Sequence, residues 1–370
     1  MKHLLLAMFL SVVLIGCSDE STPQKQTAAD VRAGKVVADK ECKGCHGLDG
    51  KGTAAGIPNM AGQRGRYIMA ALQEYKEGKR VHAALQAIAA DLSDDQTRGV
   101  AAYYASLPPI PAVKGPVFSP YENGKAMAAA CASCHGADGN SNTAGTPNLA
   151  GQQPIYFVAA TQEYLTGARA SAPMDPMLRK LGKLDIESVA LYFASQTPAP
   201  RSAPPTGDAV AGEPKTAVCG GCHGSHGVST DAATPSLASE DPQYLTQAIK
   251  AYRTTRKHAL MSRLVADLSD QDIDNIVAFY TTQKSKPAED GQNLLRDITD
   301  KCNRCHAGDI NNPALAIPII NGQDKDYLTL ALRAYRDGKR GNSMMHNMSL
   351  PYADSIIESI ATYYAGQPAR

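Results

Sequence analysis

Eight of the nine cysteines in this 370-residue chain fall into four copies of one pattern, C-x-x-C-H. The copies are Cys42, Cys45 and His46; Cys131, Cys134 and His135; Cys219, Cys222 and His223; and Cys302, Cys305 and His306. Two thiols about one helical turn apart can reach both vinyl groups of one porphyrin, and the adjacent imidazole then lies under the iron. The spacing predicts four covalently bound haem c groups, with the eight cysteines as attachment points and the four histidines as proximal iron ligands. Competing chemistries fail on geometry. A zinc site needs four ligands close together, whereas the first cysteines of successive pairs stand 89, 88 and 83 residues apart. A thioredoxin-like centre needs a βαβ pattern, which is not visible, and structural disulfides would not place a histidine after every pair.

The group opposite each histidine decides the chemistry. Methionine there raises the potential and suits electron transfer, while an open position admits a small molecule. Each repeat closes with two adjacent aromatics, the second being Tyr104, Phe193, Tyr280 or Tyr364. Twelve residues earlier stand Leu92, Leu181, Leu268 and Tyr352, and seven before those stand Leu85, Met174, Met261 and Met345. Met174, Met261 and Met345 are therefore candidate axial ligands, with ordinary core packing as the alternative. Met177, Met344 and Met348 are off register and read as packing. The first repeat has Leu85 instead. Met60 aligns with Leu149, Leu237 and Ile320, and Met69 with Val158, Thr246 and Thr329, so neither replaces the missing ligand. His82 lies three residues before Leu85 and aligns with His258. Three readings stay open: His82 ligates haem one, haem one is five-coordinate, or His82 is a surface side chain. His226, His258 and His346 read as surface or supporting residues. The carbonyls of Pro58, Pro147, Pro235 and Pro318 are candidates to receive the second ring N–H of each proximal histidine.

The elements that position these groups repeat four times. Each motif is followed by a Pro-containing loop, then a helix opened by Tyr67, Tyr156, Tyr244 or Tyr327. Eight residues on come Tyr75, Tyr164, Tyr252 and Tyr335, on the same helix face. These aromatics read as core. Pro-rich linkers at 107–120 and 197–205 read as extended. The third junction, around Lys284–Pro287, is short and suggests that modules three and four dock closely. Modules of about 80 residues with no Trp and five Phe in the whole chain are marginal on their own cores, so a bound macrocycle would supply apolar bulk.

With C-x-x-C-H-G, P-N-L-A-G-Q, the Tyr-led helix, a lone Met and the helix start Leu268-Ser269-Asp270-Gln271-Asp272-Ile273, each module resembles a class I cytochrome c, and most nearly the cytochrome c4 family. The resemblance covers roughly residues 30–370 and implies an all-α fold of four consecutive domains, at 30–108, 118–200, 206–286 and 288–370. Cytochrome c4 proteins have two such domains and carry electrons from quinol-oxidising complexes to terminal oxidases. The chain looks like two such units in tandem. It departs from the family at Leu85 and at Ala238-Ser239-Glu240, where the family has Ala-Gly-Gln.

Residues 1–16 read as an export signal, with an apolar run from Leu4 to Ile15 too short to span a bilayer. Leu14-Ile15-Gly16-Cys17 resembles a bacterial lipoprotein signal, in which the cysteine is lipidated; residues 17–29 then form a polar tether. Ser18 weakly favours the outer membrane by analogy with enteric lipoproteins, without deciding between inner and outer. The near balance of 37 basic and 36 acidic residues gives no sign of nucleic-acid binding. Module one alone is net basic, and Lys76, Lys79 and Arg80 near its ligand loop read either as a solvated helix end or as a docking site for an acidic partner. The expected function is a lipid-anchored, periplasm-facing tetrahaem electron carrier and not an enzyme. Its partners would be redox proteins: a quinol-oxidising complex on one side, a terminal oxidase or reductase on the other. The alternative is a haem enzyme, or a haem subunit of one, with haem one as an open site.

Overall fold

Every repeat opens on a helix leading into the cysteine motif and closes on a helix carrying the aromatic pair. The computed structural model describes residues 27–204, 206–307, 316–341 and 343–369. The opening and closing helices are Ala28–Val37 and Asp94–Ser106, then Pro120–Ala128 and Lys183–Ala194, then Ala209–Gly212 and Asp270–Thr282, then Leu294–His306 and Asp354–Ala365. In three repeats glycine lets these two helices cross closely. A Cβ on Gly34 would lie 1.8 Å from the Gly99 carbonyl oxygen, one on Gly124 2.0 Å from that of Ser188, and one on Gly212 2.1 Å from that of Asn275. Such contacts leave no room for any side chain. Between them run the Tyr-led helices Gly65–Lys76, Pro154–Leu165, Pro242–Ala251 and Lys325–Arg336. Short helices follow at Ala83–Asp91, Met174–Leu178, Ala259–Val265 and Ser343–Ser349.

Local signals explain the boundaries. Ser93 and Ser269 form capping boxes with Gln96 and Asp272, as the L-S-D helix start implies. Thr27 and Asp30 do the same for the first helix, which therefore begins at Ala28, inside the stretch expected to be tether. Cys17 and the whole signal region lie outside the described residues. Among the described residues no helix is long and apolar enough to cross a membrane. The closing aromatics are core, as expected: Tyr104, Phe193, Tyr280 and Tyr364 are at most 1 % exposed.

The pairing of modules differs from the tandem expectation. Module one docks on module four, and module two on module three. The Gln63 amide donates to the Ile319 carbonyl and accepts from the Ile319 N–H, both at 2.9 Å. The Gln152 amide does the same to Ser236, at 3.1 and 2.8 Å. Gly56 N–H donates to Asp324 Oδ1 and Gly145 N–H to Asp241 Oδ1, each at 2.8 Å. The short third junction does not bring modules three and four face to face in this way. It packs on module two, with Ala288 N–H donating to the Ala194 carbonyl and Gly291 N–H to Ser195 Oγ. Modules two and four also touch. Asp354 accepts from Lys183 at 2.7 Å and from Arg336 at 2.8 Å, and Ser355 N–H donates to Glu187 at 2.7 Å. Burial raises the Asp354 pKa, but Lys183, Arg336 and Arg333 outweigh it and hold the carboxyl down to about 2.

Candidate haem sites

The four motif histidines are the last residues of the helices that carry the motif, one turn long in the first three modules and the end of Leu294–His306 in the fourth. Each ring Nδ1 lies against the carbonyl expected from the sequence: His46 and Pro58 at 3.1 Å, His135 and Pro147 at 2.9 Å, His223 and Pro235 at 2.8 Å, His306 and Pro318 at 2.9 Å. A carbonyl only accepts, so Nδ1 carries the proton and Nε2 keeps a lone pair for a metal. Burial lowers the pKa of all four rings, opposed by these same carbonyl bonds, and so favours neutral imidazole.

None of the eight motif cysteines is paired in a disulfide. The first of each pair packs against its module's apolar cluster. Burial pushes the Cys42 thiol up to about 11. A neutral, half-buried thiol beside an exposed or half-exposed one suits a one-sided covalent graft, and with the histidines this donor set fits haem c. Bound there, a haem would supply reversible one-electron iron chemistry.

Three of the four candidate axial positions hold one common place in the structure. Met261 is the third residue of its short helix, Met345 of its own, and Leu85 of the corresponding helix in module one, while Met174 begins its helix. All four are half-buried. Met344 is 68 % exposed, so it does not pack as expected. His82 and His258 are matched N-caps. Nδ1 of His82 accepts from Leu85 N–H at 3.3 Å, and Nδ1 of His258 from Met261 N–H at 3.2 Å. Each ring also stands edge-on to a tyrosine, Tyr75 or Tyr252, with centroids 6.3 and 6.4 Å apart. His82 is thus the counterpart of a histidine in a module that has its methionine. With Nδ1 accepting, the neutral ring carries its proton on Nε2, which in this arrangement offers no lone pair to iron. His346 lies 2.7 Å from the Tyr335 carbonyl and His226 beside Ser225, both supporting contacts.

Arg80 is not a solvated helix end. It is 4 % exposed, bonded to Glu74, and sits over the rings of Tyr67 and Tyr75 at 5.4 and 5.7 Å. Arg169, Arg256 and Arg340 stand over the corresponding tyrosine pairs at 5.3–5.9 Å. The Tyr-led helices therefore use their tyrosines to sandwich an arginine and not as plain apolar core. Arg80 and Arg340 meet across the pair in an isolated β-bridge. The sequence carried the signal, since each arginine follows the helix-opening tyrosine by 12 or 13 residues in all four repeats.

Comparison with known proteins agrees with this chemistry. The family model described as cytochrome c matches residues 31–108 and 121–194, and that of the cbb3-type cytochrome c oxidase subunit III matches 211–279. The chain is similar to a cytochrome c4 of Azotobacter vinelandii, 33 % identical over 188 residues, covering 43 % of this chain and 89 % of that protein. It is also 33 % identical to a thiosulfate dehydrogenase electron acceptor of Stutzerimonas stutzeri, covering 44 % of this chain and 82 % of that protein. Among solved structures, reduced recombinant cytochrome c4 from Pseudomonas stutzeri matches 44 % of this chain and 98 % of its own, at 28 % identity and a TM-score of 0.41. With the cytochrome c family model and the 33 % identity over nearly the whole of a cytochrome c4, the chain belongs to the cytochrome c4-like class I c-type cytochromes, in which the C-x-x-C-H motifs imply covalent haem c.

Proposed function

We propose that the chain is a tetrahaem electron carrier of four cytochrome c domains, lipidated at Cys17 and facing the periplasm. The observation that carries the count is the fourfold recurrence of one arrangement, a motif histidine held through Nδ1 by a proline carbonyl 12 residues on. Met174, Met261 and Met345 complete three of the irons and set high potentials. The electron donor is a periplasmic or membrane oxidoreductase, and similarity to thiosulfate dehydrogenase electron acceptors makes a sulfur-oxidising dehydrogenase the first to try. The acceptor is a terminal oxidase or reductase. The nested pairing supports exchange within modules one and four and within two and three, with the contact of modules two and four joining the pairs.

A second reading concerns module one alone. Leu85 occupies the ligand register, and His82 has its Nδ1 engaged, so haem one lacks a sixth protein ligand from this loop. It is then a site for carbon monoxide or another small neutral ligand.

One experiment tests both. Potentiometric and near-infrared titration of the purified protein should count four haems, three with His/Met signatures. Carbon monoxide should bind one haem of the reduced protein, and Leu85→Met should abolish that binding while adding a fourth His/Met signature. Fewer than four haems overturns the carrier as stated. A fully low-spin protein that ignores carbon monoxide overturns the open site and leaves the carrier standing.

A further inference from the structure

Each proximal histidine is joined to a side chain of the partner module through a single peptide unit. The carbonyl of Pro58 accepts from His46, and the N–H of that same peptide, on Asn59, donates to Gln323 Oε1 at 2.6 Å. The peptide of Pro318 and Ile319 links His306 to Gln63 Oε1 at 2.9 Å. The peptide of Pro235 and Ser236 links His223 to Gln152 Oε1 at 2.8 Å. The fourth relay differs in chemistry. The peptide of Pro147 and Asn148 links His135 to Glu240 Oε1 at 2.7 Å. Three relays end in an amide, and one ends in a carboxyl.

The glutamines fix what the carboxyl must do. Gln323 Oε1 also accepts from Asp324 N–H, and its amide nitrogen donates to the Asn59 carbonyl at 2.9 Å. Glu240 Oε1 accepts from Asp241 N–H in the same way, at 2.7 Å. Its second oxygen takes the place of the amide nitrogen, whose partner in the other relays is a carbonyl. An ionised carboxylate has nothing to donate there, whereas a protonated one has. The site is buried, with Glu240 5 % exposed. The charged and titratable groups facing it are Asp241 beside it, Arg201 from the linker, and Tyr244 on the helix that follows. Arg201 is committed elsewhere, to the Ser141 carbonyl, to Asn148 Oδ1 and, at 3.6 Å, to Asp241.

We infer that Glu240 is a proton-exchanging positioning residue that sets the potential of the haem on His135 across the interface of modules two and three. The inference rests on the haem reading above. Protonated, Glu240 imitates the glutamines. Ionised, it pulls on the Asn148 N–H, makes the Pro147 carbonyl a stronger acceptor, and leaves His135 more electron-rich. Both this polarisation and the negative charge itself favour the oxidised iron. An electron delivered to that haem by the donor protein therefore draws one proton from solvent onto the Glu240 carboxylate, and the electron's departure returns it. Burial, opposed by its N–H partners and Arg201 and aided by Asp241, pushes the carboxyl up to about 8, so the exchange falls near neutral pH.

The test is a spectroelectrochemical titration of the whole holoprotein from pH 6 to 9, wild type against Glu240→Gln. One haem of the wild type should fall in potential as pH rises, by up to tenfold in its reduction equilibrium per pH unit, about 59 mV for one electron. Glu240→Gln should remove that slope while leaving any dependence due to haem propionates, and should remove a protonated-carboxyl band from the redox difference infrared spectrum. Glutamine is the residue of the other three relays, so the variant should fold. Gln323→Glu should bring a new slope to the haem on His46. Potentials of wild type and Glu240→Gln that run parallel across the range, with four haems present in both, overturn the inference without touching the carrier reading.

Discussion

Modules two and three meet at a glutamine contact spanning 84 residues of chain, and modules one and four make the same contact across 256. A threefold longer loop costs only about 1 kcal/mol more to close, because loop entropy grows with the logarithm of length. One surface can therefore serve both a neighbouring and a remote pair. What separates the pairs is chemistry at their centres. The pair of modules one and four is closed by Gln63 and Gln323, and that of two and three by Gln152 and Glu240. A second difference sits beside the first. Gly62, Gly151 and Gly322 occupy the left-handed backbone region at φ 65–70°, and Ser239 is held there at φ 61°. Serine carries a steric cost in that region which glycine lacks. Its hydroxyl offsets part of this by donating to the Gln283 carbonyl at 2.8 Å. The interface of modules two and three is thus the strained and pH-sensitive one.

The comparison breaks most sharply if either pair is opened at its arginine. Arg80→Ala should cost about 3 kcal/mol, since it leaves Glu74 without its cation and two tyrosines without their packing, and Arg169→Ala somewhat less, since the half-exposed Glu163 is screened by solvent. Denaturant unfolding of each variant reads the loss, and near-equal values would show that the pairs are mechanically alike.

Glu240→Gln sharpens the electrostatic difference. Glu240 has its folded pKa raised from 4.5 to about 8, so the folded state holds a proton that the unfolded state has lost. Its contribution is complete below the unfolded value and declines as pH rises, by about 1.4 kcal/mol per unit across that window. Stability of the wild type minus that of the variant, measured at a series of pH values, should show this decline and then level off above the folded value. The smallest effect belongs to Ser239→Gly, which should gain about 0.5 kcal/mol as relief of backbone strain exceeds the lost hydroxyl bond. A loss of stability there would mean that the hydroxyl outweighs the strain.

Much of the site was legible in residue types and spacing because it is local. A C-x-x-C-H segment builds one turn of helix, and a proline carbonyl 12 residues on falls back onto the imidazole in every repeat. Capping boxes at Ser93 and Ser269 and the aromatic pairs of the closing helices follow equally from short-range pattern. The odd residues Leu85, Ser239 and Glu240 stood out against three siblings before any contact was known. Their consequences did not. That Glu240 touches the peptide of Asn148, that Arg80 is buried between tyrosines, and that His82 spends its Nδ1 on a helix cap depend on which surfaces meet. Chain order suggested modules one with two and three with four. A hint lay in the helix caps, which are Asp241 and Asp324 in modules three and four but Gln153 and Arg64 in two and one, so that each pair joins one of either kind. Sequence alone determined the four C-x-x-C-H motifs and the proline carbonyl that each motif histidine meets, because both are set by short spacing along the chain. The tertiary structure decided the partners, because docking is chosen by complementary surfaces and its entropy depends only weakly on the length of chain between them.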